Sequence, residues 1–373
     1  MKKLGFALLS IWIIDSHAYA QSSVTLYGII SSGIAYVSNE GGHSNVTTIS
    51  GSQQGPRIGF LGSEDLGNGL SAIFRLENGF NSQTGALGQG GRLFGRQAYV
   101  GLNSANWGSV TFGRQYDLVP IYLGAFESAV TWASFGAHIA DNDNLFTSLR
   151  TDNSFEYTTP SYRGITFSGM YATSNMPGAP SDNNAYSFGV GYGGGNLHLG
   201  AAFTQLTNPG STGNPNGALP GDTGDYGSIF TTSAVHTKVG VQRQRIFGAG
   251  GSYQVGNALV SLLYTDNKYA YLDNSTLRLD NYEANIKYNL TPAWFVGAAY
   301  IYTHGKYDVV NKNPGWNQEN LVTGYALSKR TDVFAVAIYQ QAVGDAKFTA
   351  IDTLPSSSSK RQLCLELGIR HRF

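Results

Sequence analysis

Six histidines lie beyond the first twenty residues: His43, His138, His198, His236, His304 and His371. They are scattered along the chain, whereas a hydrolase needs a base beside an exposed nucleophile and a helical zinc site pairs histidines one turn apart. Neither a Gly-x-Ser-x-Gly elbow nor a His-x-x-x-His pair occurs. The single cysteine, Cys364, lacks a partner for an intramolecular disulfide and companions for a zinc module. Gly189-Val190-Gly191-Tyr192-Gly193-Gly194 has glycines near the spacing of a dinucleotide fingerprint, but no helical pattern follows, as that chemistry requires. On a strand such glycines relieve crowding or allow curvature. The residues therefore point to no enzyme and no cofactor, and the chemistry left to consider is that of charge.

Charge is sparse. The 373 residues carry 24 Lys and Arg against 24 Asp and Glu, and charged residues make up 13%, about half the ~25% usual in soluble domains. A neutral balance excludes a nucleic-acid binder, which needs a basic face. The 48 glycines and 23 tyrosines are unlike a helical cytosolic enzyme, and the aromatics are unlike a disordered chain.

Met1-Lys2-Lys3, the apolar run Leu4 to Ile14 and Ala18-Tyr19-Ala20 form a basic start, a hydrophobic stretch and a small-x-small cleavage site. This pattern predicts a signal peptide over 1–20, too short to span a membrane as a helix. Beyond Gln21 no apolar run approaches 18 residues. An exported chain without a helical anchor is either soluble outside the inner membrane or a β-barrel in the outer one.

The period of the chain is two. Tyr282, Ala284, Ile286, Tyr288 and Leu290 alternate with Glu283, Asn285, Lys287 and Asn289. At the end of the chain Leu363, Leu365, Leu367 and Ile369 alternate with Gln362, Cys364, Glu366 and Arg370. Such alternation marks half-buried strands. Many segments reach the 9–11 residues that a membrane strand needs. About sixteen are expected, near 23–38, 56–65, 70–79, 94–103, 108–116, 153–159, 164–173, 184–193, 196–206, 244–255, 258–267, 280–290, 294–305, 318–327, 331–341 and 361–373. Short turns alternate with longer connections, expected at 39–55, 80–93, 117–152, 174–183, 207–243, 268–279, 306–317 and 342–360. That sorting predicts an all-β, sixteen-stranded antiparallel transmembrane barrel over 21–373, with external loops and periplasmic turns. Lipid offers no hydrogen-bond partners, so the sheet must close. Sixteen strands leave an aqueous lumen. Arg57 alternates with Ile58, and Arg75 stands between Phe74 and Leu76. Charge facing lipid costs about 2–4 kcal/mol at midplane, so both arginines are expected to face the lumen.

Several segments, in order, resemble the general diffusion porins of Gram-negative bacteria, above all the trimeric sixteen-stranded porins of β-proteobacteria. They are Val24-Thr25-Leu26-Tyr27-Gly28, the run from Ile58 to Gly69, Leu76-Glu77-Asn78-Gly79-Phe80, the run from Gly95 to Leu102, Phe112-Gly113-Arg114-Gln115-Tyr116 and the closing Gly368 to Phe373. The resemblance implies passive diffusion of ions and small hydrophilic solutes through a homotrimer set in outer-membrane lipids. It implies that the third loop, 117–152, folds into the lumen as the constriction, which suits its Ile121, Tyr122, Leu123, Phe126, Val130 and Trp132. It further implies arginines on the wall, matched by Arg57, Arg96 and Arg150, with Arg75 added by alternation. Acids are implied on the loop, where Glu127, Asp141 and Asp143 are the candidates. Few acids against several arginines give an expected weak anion preference. Arg114 shares parity with Val110 and Phe112, which directs it outward. The resemblance suggests a subunit contact there, although residues 81–93 carry no acid to receive it. Terminal Phe373 is the residue that the barrel-assembly machinery reads in this family. A substrate-specific channel of the same architecture stays open, with Tyr116, Tyr122, Phe126 and Trp132 as parts of an aromatic slide.

Overall fold

The computed structural model describes residues 22–221, 226–233 and 239–373. The expected signal peptide lies outside the described residues, as does part of the 207–243 connection, His236 included. Among the described residues the strands are β1 (Ser23–Glu40), β2 (His43–Ser50), β3 (Arg57–Gly67), β4 (Leu70–Gly79), β5 (Gln97–Ser104), β6 (Gly108–Gln115), β7 (Thr151–Thr158), β8 (Ile165–Ala172), β9 (Ala185–Gly194), β10 (Leu197–Thr207), β11 (Val241–Val255), β12 (Ala258–Tyr271), β13 (Thr276–Asn289), β14 (Trp294–Tyr307), β15 (Pro314–Ala326), β16 (Thr331–Gly344) and β17 (Arg361–Arg372).

Apart from β2 and β3, consecutive strands pair antiparallel with each other, and β1 pairs with β17, from Ile29↔Arg372 to Val37↔Cys364. The sheet therefore closes into a barrel. β1 carries two partners on its other side. Its first half pairs with β3 (Ser23↔Ser63 to Ile29↔Arg57) and its second with β2 (Ser32↔Ser50 to Glu40↔His43). Since β2 and β3 together form one interrupted stave, the barrel has sixteen.

That interruption departs from the expected 39–55 loop. Val46-Thr47-Thr48-Ile49 is a β-branched run that favours strand. Gly41 and Gly42, with φ of 61° and 111°, turn the chain within two residues. Residues 51–56 then leave the sheet towards the lumen. The Gln53 amide donates to Ser31 Oγ at 3.2 Å and Gln53 Nε2 donates to the Trp132 carbonyl at 3.4 Å. Residues 80–83 close the resulting gap. The Phe80 amide donates to Pro56 O at 3.2 Å and the Ser82 amide to Ser50 Oγ at 2.8 Å. A second departure is the expected 268–279 connection, which shrinks to 272–275. Tyr269, Tyr271, Leu277 and Leu279 prolong the alternation there because they pack on Ile139, Phe230 and Trp316.

The two faces sort as the alternation demands. On β13, Tyr282, Ile286 and Tyr288 are exposed on the outside, while Asn281, Glu283 and Asn285 are buried on the inside. On β17, Leu365, Leu367 and Ile369 face outward, and Cys364, Glu366 and Arg370 face inward. An inner face this heavily buried needs something to cover it, and the long segment between β6 and β7 does so.

Candidate functional site

Charge on the lumen wall is built by β3 and β4. Their register, Leu61↔Arg75, Gly59↔Glu77 and Arg57↔Gly79, puts Arg57, Arg75 and Glu77 on one inner face beside Tyr27 of β1. Glu77 Oε1 accepts from Arg96 Nε at 2.7 Å, and its Oε2 accepts from the Tyr27 hydroxyl at 2.8 Å. Arg96 also donates to the Tyr116 hydroxyl at 2.7 Å. The Tyr116 ring lies beneath two guanidinium groups, Arg150 at 5.3 Å and Arg96 at 5.9 Å from its centroid. Arg75 stands over Tyr27 at 5.9 Å, and Arg57 Nε donates to Gly55 O at 3.1 Å. Of the four wall arginines named from the sequence, Arg96 bonds Glu77 directly, Arg150 shares the Tyr116 ring with Arg96 and Arg75 stands over Tyr27, the second partner of Glu77. Sequence reasoning missed that carboxylate, although Glu77 shares the parity of Arg75.

The loop between β6 and β7 is laid against the opposite arc of the wall. Asp117 caps a short helix, α1 (Leu118–Leu123), by accepting from the Val119 amide at 2.9 Å. Burial pushes the Asp117 carboxyl above its ordinary range. Helix α1 packs on β8 to β11, where Val119, Leu123, Phe126 and Leu145 meet Ala202, Ile246 and Leu263. Further along, Trp132, Ala133 and Phe135 meet Ala299, Val322, Phe334 and Ile338. Each large side chain so covered contributes about 1.5–3 kcal/mol. The glycines of β9 and β10 are the seat for this packing. A Cβ at Gly189 would meet the Tyr122 ring at 2.2 Å, and one at Gly200 the Tyr122 carbonyl at 2.4 Å. Gly189-Val190-Gly191 is thus a docking surface for the loop. We expect Gly200→Val to unseat α1, since backbone cannot move aside as a side chain can. Single-channel recordings should then display frequent conductance transitions absent from the parent, and a quiet parental trace would contradict this docking.

The loop acids differ from expectation. Glu127, Asp141 and Asp143 are buried, at 0%, 5% and 0% exposure, and do not face the opening. Asp141 accepts the amides of Phe146 and Ser148, both at 2.9 Å, and so shapes the loop itself. Asp143 accepts from Thr265 and lies 2.6 Å from His138 Nδ1. Glu127 Oε1 accepts the His138 amide at 3.2 Å, and Glu283 of β13 accepts the Ser128 amide at 2.8 Å. The reason is geometric: a loop has no alternation to fix direction, and its polar groups turn to the wall that must satisfy them. Burial pushes the Glu127 carboxyl well up against the pull of His138. Burial alone would lower the His138 pKa, but Asp143, Glu283 and Glu127 together outweigh it and hold the imidazole well above its ordinary value.

Arg114 also differs. Parity directed it outward, yet it is 6% exposed. A register shift between Gly113 and Gln115 breaks the alternation. Arg114 donates to Asp152 at 2.5 Å and to Gly95 O at 2.7 Å, and Arg92 meets the same Asp152 at 2.9 Å. Within the chain, Arg114 and Arg92 thus clamp the loop's far end through Asp152. Asp152→Asn is expected to cost about 2 kcal/mol. That lies below the ~3–5 kcal/mol of a fully buried pair, because water screens the partly exposed Arg92. A lower thermal midpoint of the folded barrel would register it.

The aromatics weighed as a solute slide are mostly spent in packing: Tyr116, Phe126 and Trp132 are buried, and Tyr122 is bonded to Ser168 at 2.6 Å. Phe373 lies on the outer face at the seam, exchanging backbone bonds with Gly28 at 3.0 and 3.1 Å. A Cβ at Gly28 would stand 2.3 Å from its ring.

A closed sixteen-stave antiparallel barrel with an apolar outside, a polar charged inside and a loop packed within is an outer-membrane channel. The chain belongs to the Gram-negative porin family, whose model matches residues 7–345. It is 32% identical to an outer membrane porin protein of Bordetella pertussis, over the full length of both. Identity to the major outer membrane protein P.IB of Neisseria lactamica is 27%, again over both whole chains. Among solved structures, the anion-selective porin from Comamonas acidovorans superposes with a TM-score of 0.75 at 21% identity, covering 95% of this chain and all of that one. The trimer form of OmpT from Vibrio cholerae gives 0.71 at 14%, covering 94% and 99%. The protein is a porin of a Gram-negative outer membrane.

Proposed function

We propose that this porin is a general diffusion channel with a weak anion preference, constricted by residues 117–152. The observation that carries the preference is the cluster of Arg57, Arg75, Arg96 and Arg150 about Tyr27, Tyr116 and Glu77, while the loop acids are buried. Rings or patches of fixed charge bias which ions enter a narrow pore. The porin from Comamonas acidovorans, which is described as anion-selective, supports the same sign. Burial of Tyr116, Phe126 and Trp132 favours a general pore over a sugar slide. Flux is passive, needs no cofactor and involves no catalysis. The working unit is a homotrimer in outer-membrane lipid, in keeping with the trimeric neighbour from Vibrio cholerae. Phe373, at the seam, is the residue for the barrel-assembly machinery to read.

Liposome swelling tests the general character. Neutral sugars should enter at rates that fall smoothly with size and do not saturate. Saturation, or preference for one sugar over its isomers, would contradict it.

A further inference from the structure

We propose that Glu127, His138 and Glu283 form a binding site for one first-row divalent cation, Zn2+ or Mn2+, that staples the inner loop to β13. Their ligand atoms all lie within 4.8 Å of one another, and all three side chains are buried. Glu127 and His138 come from the loop and Glu283 from the wall, so an ion between them would link the two.

Three observations separate this cluster from an ordinary buried salt bridge. First, Glu127 is wholly buried, and among the described residues its Oε2 has no hydrogen-bond partner. A buried carboxylate oxygen without a partner is costly, and a cation at this point would satisfy it. Secondly, His138 Nε2 and Glu283 Oε2 are 3.1 Å apart. Bonds of about 2.1 Å place neighbouring ligands of a tetrahedral ion about 3.4 Å apart, so the pair already has nearly the spacing of one ligand edge. Thirdly, Asp143 sits 2.6 Å from His138 Nδ1. A carboxylate on the far nitrogen is the usual support of a metal-bound imidazole, fixing its tautomer and orientation. Asn281 and Thr265 hold Asp143 in turn.

The charges agree. Three carboxyl groups meet one imidazole in a water-poor pocket, and a divalent ion taking the place of their protons would offset the negative charge so left. One imidazole with two carboxylates and no sulfur suits zinc or manganese rather than copper or an iron–sulfur centre. Asp143 is a positioning residue, not a ligand.

The test uses the full-length chain, stripped with EDTA while unfolded and refolded in detergent with either Zn2+ or Mn2+. Metal content is read by mass spectrometry after gel filtration. The expected result is one ion per chain in the parent and none after refolding in EDTA. Glu127→Gln and His138→Gln should lose at least tenfold in metal retention, and Asp143→Asn should lose about 10–100-fold in affinity while keeping the ligand set. Pulsed electron paramagnetic resonance of the Mn2+-loaded parent should reveal coupling to one imidazole nitrogen. That readout decides the matter even where a variant does not fold. A parent that retains no ion, an ion without imidazole coupling, or retention undiminished in the folded variants would overturn the site.

Discussion

Reversing Arg57 to Glu should move the channel's selectivity towards cations. The residue sits on the inner face near Glu77 and its Nε donates to the Gly55 carbonyl, so the change brings a second carboxylate near Glu77 but leaves Glu77 its bonded partner Arg96 at 2.7 Å. A unit charge about 6 Å from a permeating ion in water is worth about 0.7 kcal/mol. Reversal changes the wall by two units, about 1.4 kcal/mol for the cation and as much in the opposite sense for the anion, which is close to tenfold for each ion and about a hundredfold in the ratio of cation to anion permeability before screening. Salt weakens the effect, so recordings belong at low ionic strength. Arg75→Glu should act in the same direction. Arg96→Glu should do so too, but it also sets a second carboxylate against buried Glu77 and would disturb folding. Unchanged reversal potentials in both the Arg57 and Arg75 variants would remove these residues from the permeation path.

Deleting residues 119–132 should raise single-channel conductance roughly two-fold or more, as expected when an inner constriction is lost. The segment carries Val119, Leu123, Phe126 and Trp132, which anchor the loop on the wall. Its removal uncovers polar wall groups such as Glu283 and Asn285, and water can satisfy those. The strands themselves keep every ladder bond, so the barrel should still close. A folded deletion variant with parental conductance would place the narrowest point elsewhere, for instance at the inward segment 51–56.

What could be read from the sequence follows the alternation. Where a strand is regular, parity gives direction, and Cys364 and Glu366 both point inward as the period of two requires. The same rule could have found Glu77, two residues from Arg75, had the wall been searched for acids as well as bases. Parity failed at Arg114, because the register shift beside Gly113 leaves no trace in hydropathy. The first connection was hidden differently. Gly41-Gly42 and a polar, β-branched run read as loop or strand alike until a partner strand is present. The loop acids were identifiable as residue types but not as directions. Glu127 and Asp143 turn to His138 within the loop, and Asp143 also meets Thr265, 122 positions away on the wall. No local pattern encodes such pairings.

The most direct measurement is the zero-current potential of the purified protein in a planar bilayer under a salt gradient, with the size of the insertion steps recorded. An arginine-lined constriction predicts a potential of the sign given by faster anion flow, in channels that insert as triplets. A potential of cation-selective sign, or none at all, would contradict the assignment of the wall arginines to the narrow part of the pore.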